Sequence, residues 1–121
     1  MTEKDASKFA NEWIDAWNSH DLDAILAHYH EAVELTSPVA ARLLSLPDGK
    51  VSGRQNLRAY FRRGLEAFPN LHFELHEALC GLNSVVLYYT NQAGTRTAEF
   101  MEFSADGKVI RVVANYSIPR A

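Results

Sequence analysis

The sequence predicts an α+β fold: three N-terminal helices packed on a curved antiparallel β-sheet that encloses an apolar pocket. Three observations predict it. One-sided apolar stripes at helical spacing recur through the first half of the chain. Alternating runs rich in β-branched and aromatic residues fill the second half, with short turn signals between them. Helices come first and a meander follows, without the βαβ alternation of a parallel sheet.

The first helix is predicted over residues 3–18. Ala6, Phe9, Ala10, Trp13, Ile14 and Trp17 form its stripe, and Thr2 is a suitable N-cap. Asn18-Ser19-His20 breaks the run. Asp21 caps a second, short helix whose apolar face is Leu22, Ile25, Leu26 and Tyr29. Val33 to Ser37 alternates and reads as a strand ending before Pro38. Val39 to Leu46 is apolar and reads either as a helical turn or as a lid, and Pro47-Asp48-Gly49 is a turn. Ser52 with Gln55 has the spacing of a capping box and opens the third helix. Its stripe is Leu57, Tyr60, Phe61, Leu65 and Phe68, and Pro69 closes it.

Strands are predicted over 71–79, 84–91, 96–104 and 108–117. Gly81-Leu82-Asn83, Gln92-Ala93-Gly94 and Ala105-Asp106-Gly107 supply the turns between them. In the first of these strands Leu71, Phe73, Leu75 and Leu79 share a face. No repeat or linker interrupts the pattern, so a single domain over 1–121 is expected.

Composition narrows the partners. Of the 121 residues 47% are hydrophobic and 22% charged, enough apolar material for a real core. The net charge of −3 offers no basic footprint for nucleic acid. No apolar run is long enough to span a bilayer, and the polar start MTEKDASKF is unlike a signal peptide. A cytoplasmic location and no membrane partner are therefore expected. The lone Cys80 has no internal disulfide partner. His72 and His76 would lie roughly 13 Å apart on a strand, too far to share an ion, so neither a metal nor another cofactor is expected.

The chain resembles the nuclear transport factor 2-like superfamily, a cone-shaped fold, and within it the SnoaL-like and ketosteroid-isomerase-like branch. The resemblance rests on Trp13 through Ile25, which holds an aromatic helix, an Asn-x-x-Asp-Leu-Asp turn and the start of a second helix. It is extended by Ala32 to Leu35, by Ser37-Pro38-Val39, by Gly53 ahead of Leu57, Tyr60 and Phe61, and by Glu102 to Ile110. It implies an apolar pocket for a hydrophobic small molecule. It also implies a homodimer formed through the outer sheet face, which Val86, Tyr88 and Phe100 would form in the register that turns Glu99 inward.

Glu99 is the candidate catalytic residue. Alternation places it with Thr97, Met101 and Phe103 if those two apolar side chains face the pocket. The opposite register would bury Glu102 beside Phe100, which is less economical. A carboxyl on an apolar wall resists ionisation and can donate a proton or hydrogen bond. The resemblance adds that ketosteroid isomerases carry the acid of their oxyanion hole at the matching position.

It also shows two departures. Ser37 stands where those isomerases carry a general-base Asp, and a serine cannot act as that base at neutral pH. Trp13 stands where they place an oxyanion-hole tyrosine, and indole donates a hydrogen bond without transferring a proton. The candidate substrate-binding residues are Trp13, Ser37, Tyr60, Phe61, Met101, Phe103, Val112 and Tyr116. Tyr116 shares a strand face with Val112. Tyr88 and Tyr89 must point opposite ways, and the sequence leaves open which is inside.

The function expected is that of a small-molecule pocket protein. It would be an acid/base isomerase, cyclase or hydratase on a hydrophobic cyclic or polyketide-like substrate. A non-catalytic ligand-binding module and a protein-interaction domain remain as alternatives.

Overall fold

The computed structural model describes residues 1–118. It has four helices and six strands: α1 (Glu3–Asn18), α2 (Leu22–Leu26), β1 (Tyr29–Thr36), α3 (Pro38–Leu43), β2 (Lys50–Ser52), α4 (Arg54–Ala67), β3 (Glu74–Cys80), β4 (Ser84–Thr90), β5 (Arg96–Phe103) and β6 (Val109–Tyr116). The strands form one sheet in the order β2-β1-β6-β5-β4-β3. The expected α+β architecture is present, and the sheet is antiparallel except where β1 runs parallel to β6.

Local chemistry explains most element boundaries. Thr2 accepts a hydrogen bond from the Asp5 N–H, and Asp5 accepts one from the Thr2 N–H, which completes a capping box on α1. Asp21 caps α2 through Ala24 N–H. The apolar stripes of α1 and α4 pack on the sheet, and Trp13, Ile25, Leu57, Leu87 and Met101 lie in the core between them.

The structure corrects several boundaries. Tyr29 is not on the second helix. It opens β1 and pairs with Val109 before a register shift in that strand pair. The segment after Ser37 is a helix, α3, so there are four helices rather than three. Ser37 caps it and Pro38 occupies its first turn, where a missing N–H costs nothing. Ser52 does not cap α4. That role falls to Gly53, which has φ +86° and supplies no side-chain bond, while Ser52 ends the short strand β2. β3 starts at Glu74 rather than Leu71, and Leu79 is 48% exposed rather than on the buried face.

Leu71 and Phe73 lie just ahead of β3 and are tied to the end of α1. The Asn18 side chain donates to Phe73 O at 2.9 Å and accepts from Phe73 N–H at 2.7 Å. His20 bonds Leu71 O at 2.8 Å. These bonds hold two apolar residues beside the cavity described next.

Candidate active site

A cavity of about 100 Å³ opens between α4, the segment before β3, and strands β4 to β6. Phe61 of α4, Phe68 at its C-cap, Leu71, Phe73, Trp17 and Leu35 give it apolar walls. Its polar side is built from Ser37, Tyr60, Tyr89, Glu99 and Tyr116, with Asn91 and Gln92 beyond β4.

Glu99 sits in the middle of β5. Burial along this strand alternates, with Thr97, Glu99, Met101 and Phe103 on the inner face. Directly across from Glu99 stand Leu87 on β4 and Ala114 on β6. The carboxyl therefore has apolar flanks. The Tyr89 hydroxyl donates to Glu99 Oε1 at 2.7 Å. Among the described residues no other hydrogen bond reaches this carboxyl. Burial raises its pKa from 4.5 to about 7, against the pull of the Tyr89 bond, which favours the carboxylate.

The tyrosines around it remain protonated at neutral pH. Burial pushes Tyr60 up to about 12 and raises Tyr29, Tyr89 and Tyr116 further, and the nearby Glu99 charge adds to each rise. The Ser37 hydroxyl lies close enough to Tyr60 and Tyr116 to offset part of theirs. Ser37 is 3% exposed. Its Oγ accepts from Val39 N–H at 3.1 Å, which leaves its own proton available to donate.

The lining unites Ser37, Tyr60, Phe61, Glu99 and Tyr116. Four expected pocket residues stand elsewhere. Trp13 is buried beneath the cavity, and its Nε1–H donates to the Tyr29 hydroxyl at 2.9 Å, so that donor is already used. Met101 and Val112 are cross-strand partners, fully enclosed in the core. Phe103 packs edge-on against Phe9, with ring centroids 4.9 Å apart. All three share the sheet's inner face with Glu99 or Tyr116 but lie further along it, where α1 covers the sheet.

Trp17 and Gln92 line the cavity without having been singled out by the sequence, and of the pair Tyr88 and Tyr89 it is Tyr89 that lies inside. Trp17 was visible as one more apolar residue in the α1 stripe. Placing Tyr89 inside required the β4–β5 register, which pairs it with Thr97. Trp17 Nε1 and Gln92 Oε1 are both buried without a hydrogen-bond partner among the described residues, an uncommon state for polar atoms in a folded protein. No three His, Cys, Asp or Glu side chains gather as a metal site among the described residues. No helix among them is long and apolar enough to cross a membrane.

The family model of the SnoaL-like domain matches residues 10–114. The chain belongs to the SnoaL-like family. Within that family it is similar to a SnoaL-like protein of unknown function from Burkholderia thailandensis, with 39% identity and a TM-score of 0.93, covering 97% of this chain and 98% of that one. The same fold appears in a protein of unknown function with a cystatin-like fold from Methylobium petroleophilum, at 17% identity and TM-score 0.78, covering 100% and 81% of the two chains. It appears again in SalBIII, an epoxide hydrolase/cyclase-like enzyme of pyran ring formation in the polyether salinomycin, at 19% identity and TM-score 0.74, covering 96% and 93%. No curated protein matches the chain. The SnoaL-like cone is thus the frame on which Glu99 and its ring of hydroxyls are mounted.

Proposed function

We propose that this SnoaL-like protein is a cofactor-independent isomerase of a small cyclic ketone, with Glu99 as the group that takes and returns the proton. One observation carries this reading. Among the described residues Glu99 is the only carboxyl, imidazole, amine or guanidinium in the cavity lining, and it has a single hydrogen-bond partner there. A pKa of about 7 populates both its acid and its base form near neutral pH, the condition for efficient proton transfer in either direction.

The reaction follows from what surrounds it. Glu99 removes a proton from carbon next to a carbonyl. Hydroxyls of Ser37, Tyr60 or Tyr116 donate to the carbonyl oxygen as negative charge develops there. Glu99 then returns the proton to another carbon on the same face. A hydratase would need a second group to activate water while the first acts as acid, and the described lining residues offer none. An intramolecular cyclisation needs only one proton carrier, so the cyclase reading stands close behind. The fold shared with SalBIII supports that second reading no further than the fold itself.

Size points the same way. An apolar cavity of about 150 Å³ accommodates benzene, so about 100 Å³ leaves no room for a steroid and takes a single ring only as its walls adjust. We also propose that the chain dimerises through its outer sheet face, where Val86, Tyr88, Phe100 and Val113 form a half-buried apolar surface.

The test is conversion of 3-cyclohexenone to 2-cyclohexenone, followed by proton NMR. Wild type should catalyse it, and Glu99→Gln should lose at least about a hundredfold in rate while still binding the ketone. Saturable binding without conversion by wild type would make the protein a binding module instead.

A further inference from the structure

Two polar atoms of the cavity lining, Trp17 Nε1 and Gln92 Oε1, are buried without a hydrogen-bond partner among the described residues. Their surroundings differ. Trp17 Nε1–H stands near the Tyr29 hydroxyl, which already accepts from Trp13 at 2.9 Å, so a protein oxygen is at hand for it. Gln92 belongs to the loop between β4 and β5, and that loop satisfies itself without the Gln92 side chain. Asn91 Oδ1 accepts from the Ala93 and Thr95 N–H groups at 3.0 Å each, and Asn91 O accepts from Gly94 N–H at 2.9 Å. Every N–H from Ala93 to Thr95 is thus engaged by Asn91. A loop glutamine ordinarily turns its amide to water. Here the amide oxygen is covered, in a side chain that forms part of the cavity wall.

The place of Gln92 in the sheet says which part of a ligand it meets. Glu99 faces Leu87 across the β4–β5 pair, and Asn91 lies four residues beyond Leu87, roughly 13 Å of extended chain. Ser37 follows β1 and Tyr116 ends β6, whereas Gln92 follows β4, with β5 between the two sides. Gln92 is half-buried, while Glu99 and Ser37 are enclosed. The Gln92 end of the cavity is therefore remote from both the proton carrier and the Ser37 and Tyr116 hydroxyls, and it is the end nearer to solvent.

We propose that the substrate carries a hydroxyl on the side of its ring opposite the carbonyl, and that Gln92 is the residue that selects it. The inference rests on the reading of the cavity as a site for a small cyclic ketone and adds a second polar group to that substrate. Glu99 keeps its proton transfer, and the hydroxyls of Ser37, Tyr60 and Tyr116 keep the carbonyl oxygen. An amide oxygen shielded from water and left unpaired is unfavourable, and a ligand hydroxyl placed against it removes that deficit. A ring without the hydroxyl leaves the deficit in place, so the unpaired amide rejects the wrong ligand as well as holding the right one. A hydroxyl suits either orientation of the amide, since it donates to Oε1 and accepts from Nε2–H.

The experiment is an NMR titration of wild type and Gln92→Met with 4-hydroxycyclohexanone and 4-methylcyclohexanone, rings of similar size that differ in the hydroxyl. Affinities are read from amide shifts at Ser37, Ala93 and Glu99. Wild type should bind the hydroxy ketone about tenfold more tightly than the methyl ketone. Gln92→Met should bring the two within about twofold, and its urea midpoint should stay level or rise, because an unpaired buried amide has been removed. Equal or reversed preference in wild type, or an undiminished preference in Gln92→Met, would overturn the hydroxyl subsite and leave the cavity reading intact. So would a lowered midpoint in Gln92→Met, which would make Gln92 a structural residue of the loop. Failure of both rings to shift any cavity amide at millimolar concentration would overturn the cavity reading as well.

Discussion

The Tyr89 hydroxyl on β4 donates to Glu99 Oε1 on β5 at 2.7 Å, across the diagonal between two antiparallel strands rather than straight across them. Leu87 is the residue directly opposite Glu99, and Tyr89 lies two positions further along. Long side chains bridge such diagonals on one sheet face. The bond gives the carboxyl one fixed partner and leaves the rest of its bonding capacity for a ligand.

Glu99 should make stability fall as pH rises. Its folded pKa of about 7 lies above its ordinary value of 4.5, so the folded state holds more protons between these limits. The stabilisation is complete below about pH 4.5, is lost through pH 7, and amounts to about 3 kcal/mol at most. Burial lowers the pKa of His28, which works in the opposite direction and is common to wild type and variant. Urea melts at pH 5 and pH 8 should therefore show a steeper decline for wild type than for Glu99→Gln. Parallel declines would count against a desolvated carboxyl.

Tyr89→Phe should raise the Glu99 pKa above about 7, because it removes the one bond that favours the carboxylate. The ring should stay in place, since it packs on Phe73 at 4.5 Å and Trp13 at 5.5 Å. The cost should be about 1–3 kcal/mol, larger above pH 7 than below, because a buried carboxylate loses its partner. Carbon-detected titration of the Glu99 carboxyl gives the first quantity and denaturant melts at two pH values give the second.

Trp13→Phe separates core from cavity. The variant loses the hydrogen bond to Tyr29 and part of the stack on Phe73, whose ring centroid lies 5.7 Å away. Stability should drop by about 2 kcal/mol. Ligand affinity should change less than about threefold, since Trp13 does not line the cavity. A large loss of affinity at unchanged stability would reverse this assignment.

Much of the fold was legible because it rests on local rules. Caps at Thr2 and Asp21, helical stripes and period-2 strands each leave a mark in the sequence. β2 left none, as three residues in Lys50–Ser52 are too few to show a period. The parallel pairing of β1 with β6 joins segments far apart in the chain, and no local pattern encodes it. The same divide runs through the site. Alternation was enough to group Glu99 with Met101 and Phe103, but not to say that only Glu99 stands where the cavity opens. That depends on how far α1 covers the sheet, which is set by the Asn18–Phe73 bonds and the aromatic packing around Trp13 and Trp17.

Gly49→Ala should disturb the site from outside it. Gly49 has φ +62°, and a Cβ there would meet Ser37 O at 2.6 Å. Its own carbonyl accepts from Ser37 N–H at 3.0 Å. The substitution should cost about 1–3 kcal/mol and shift the Ser37 and Val39 amide resonances. Gly64→Ala is the contrast. A Cβ there meets nothing within 4 Å, and α4 should gain up to about 1 kcal/mol.

Ser37 performs two duties at one position: it caps α3 and it faces the cavity. Serine, aspartate and asparagine are close to interchangeable as caps. The backbone is therefore nearly indifferent to whether a hydroxyl or a carboxylate stands at Ser37, while the reactivity of the cavity is not. What a carboxylate at Ser37 would cost is desolvation rather than helix geometry, since the position is buried and shares its cavity with Glu99. The cap and the cavity thus place separate demands on one side chain, and a hydroxyl meets both without a buried charge.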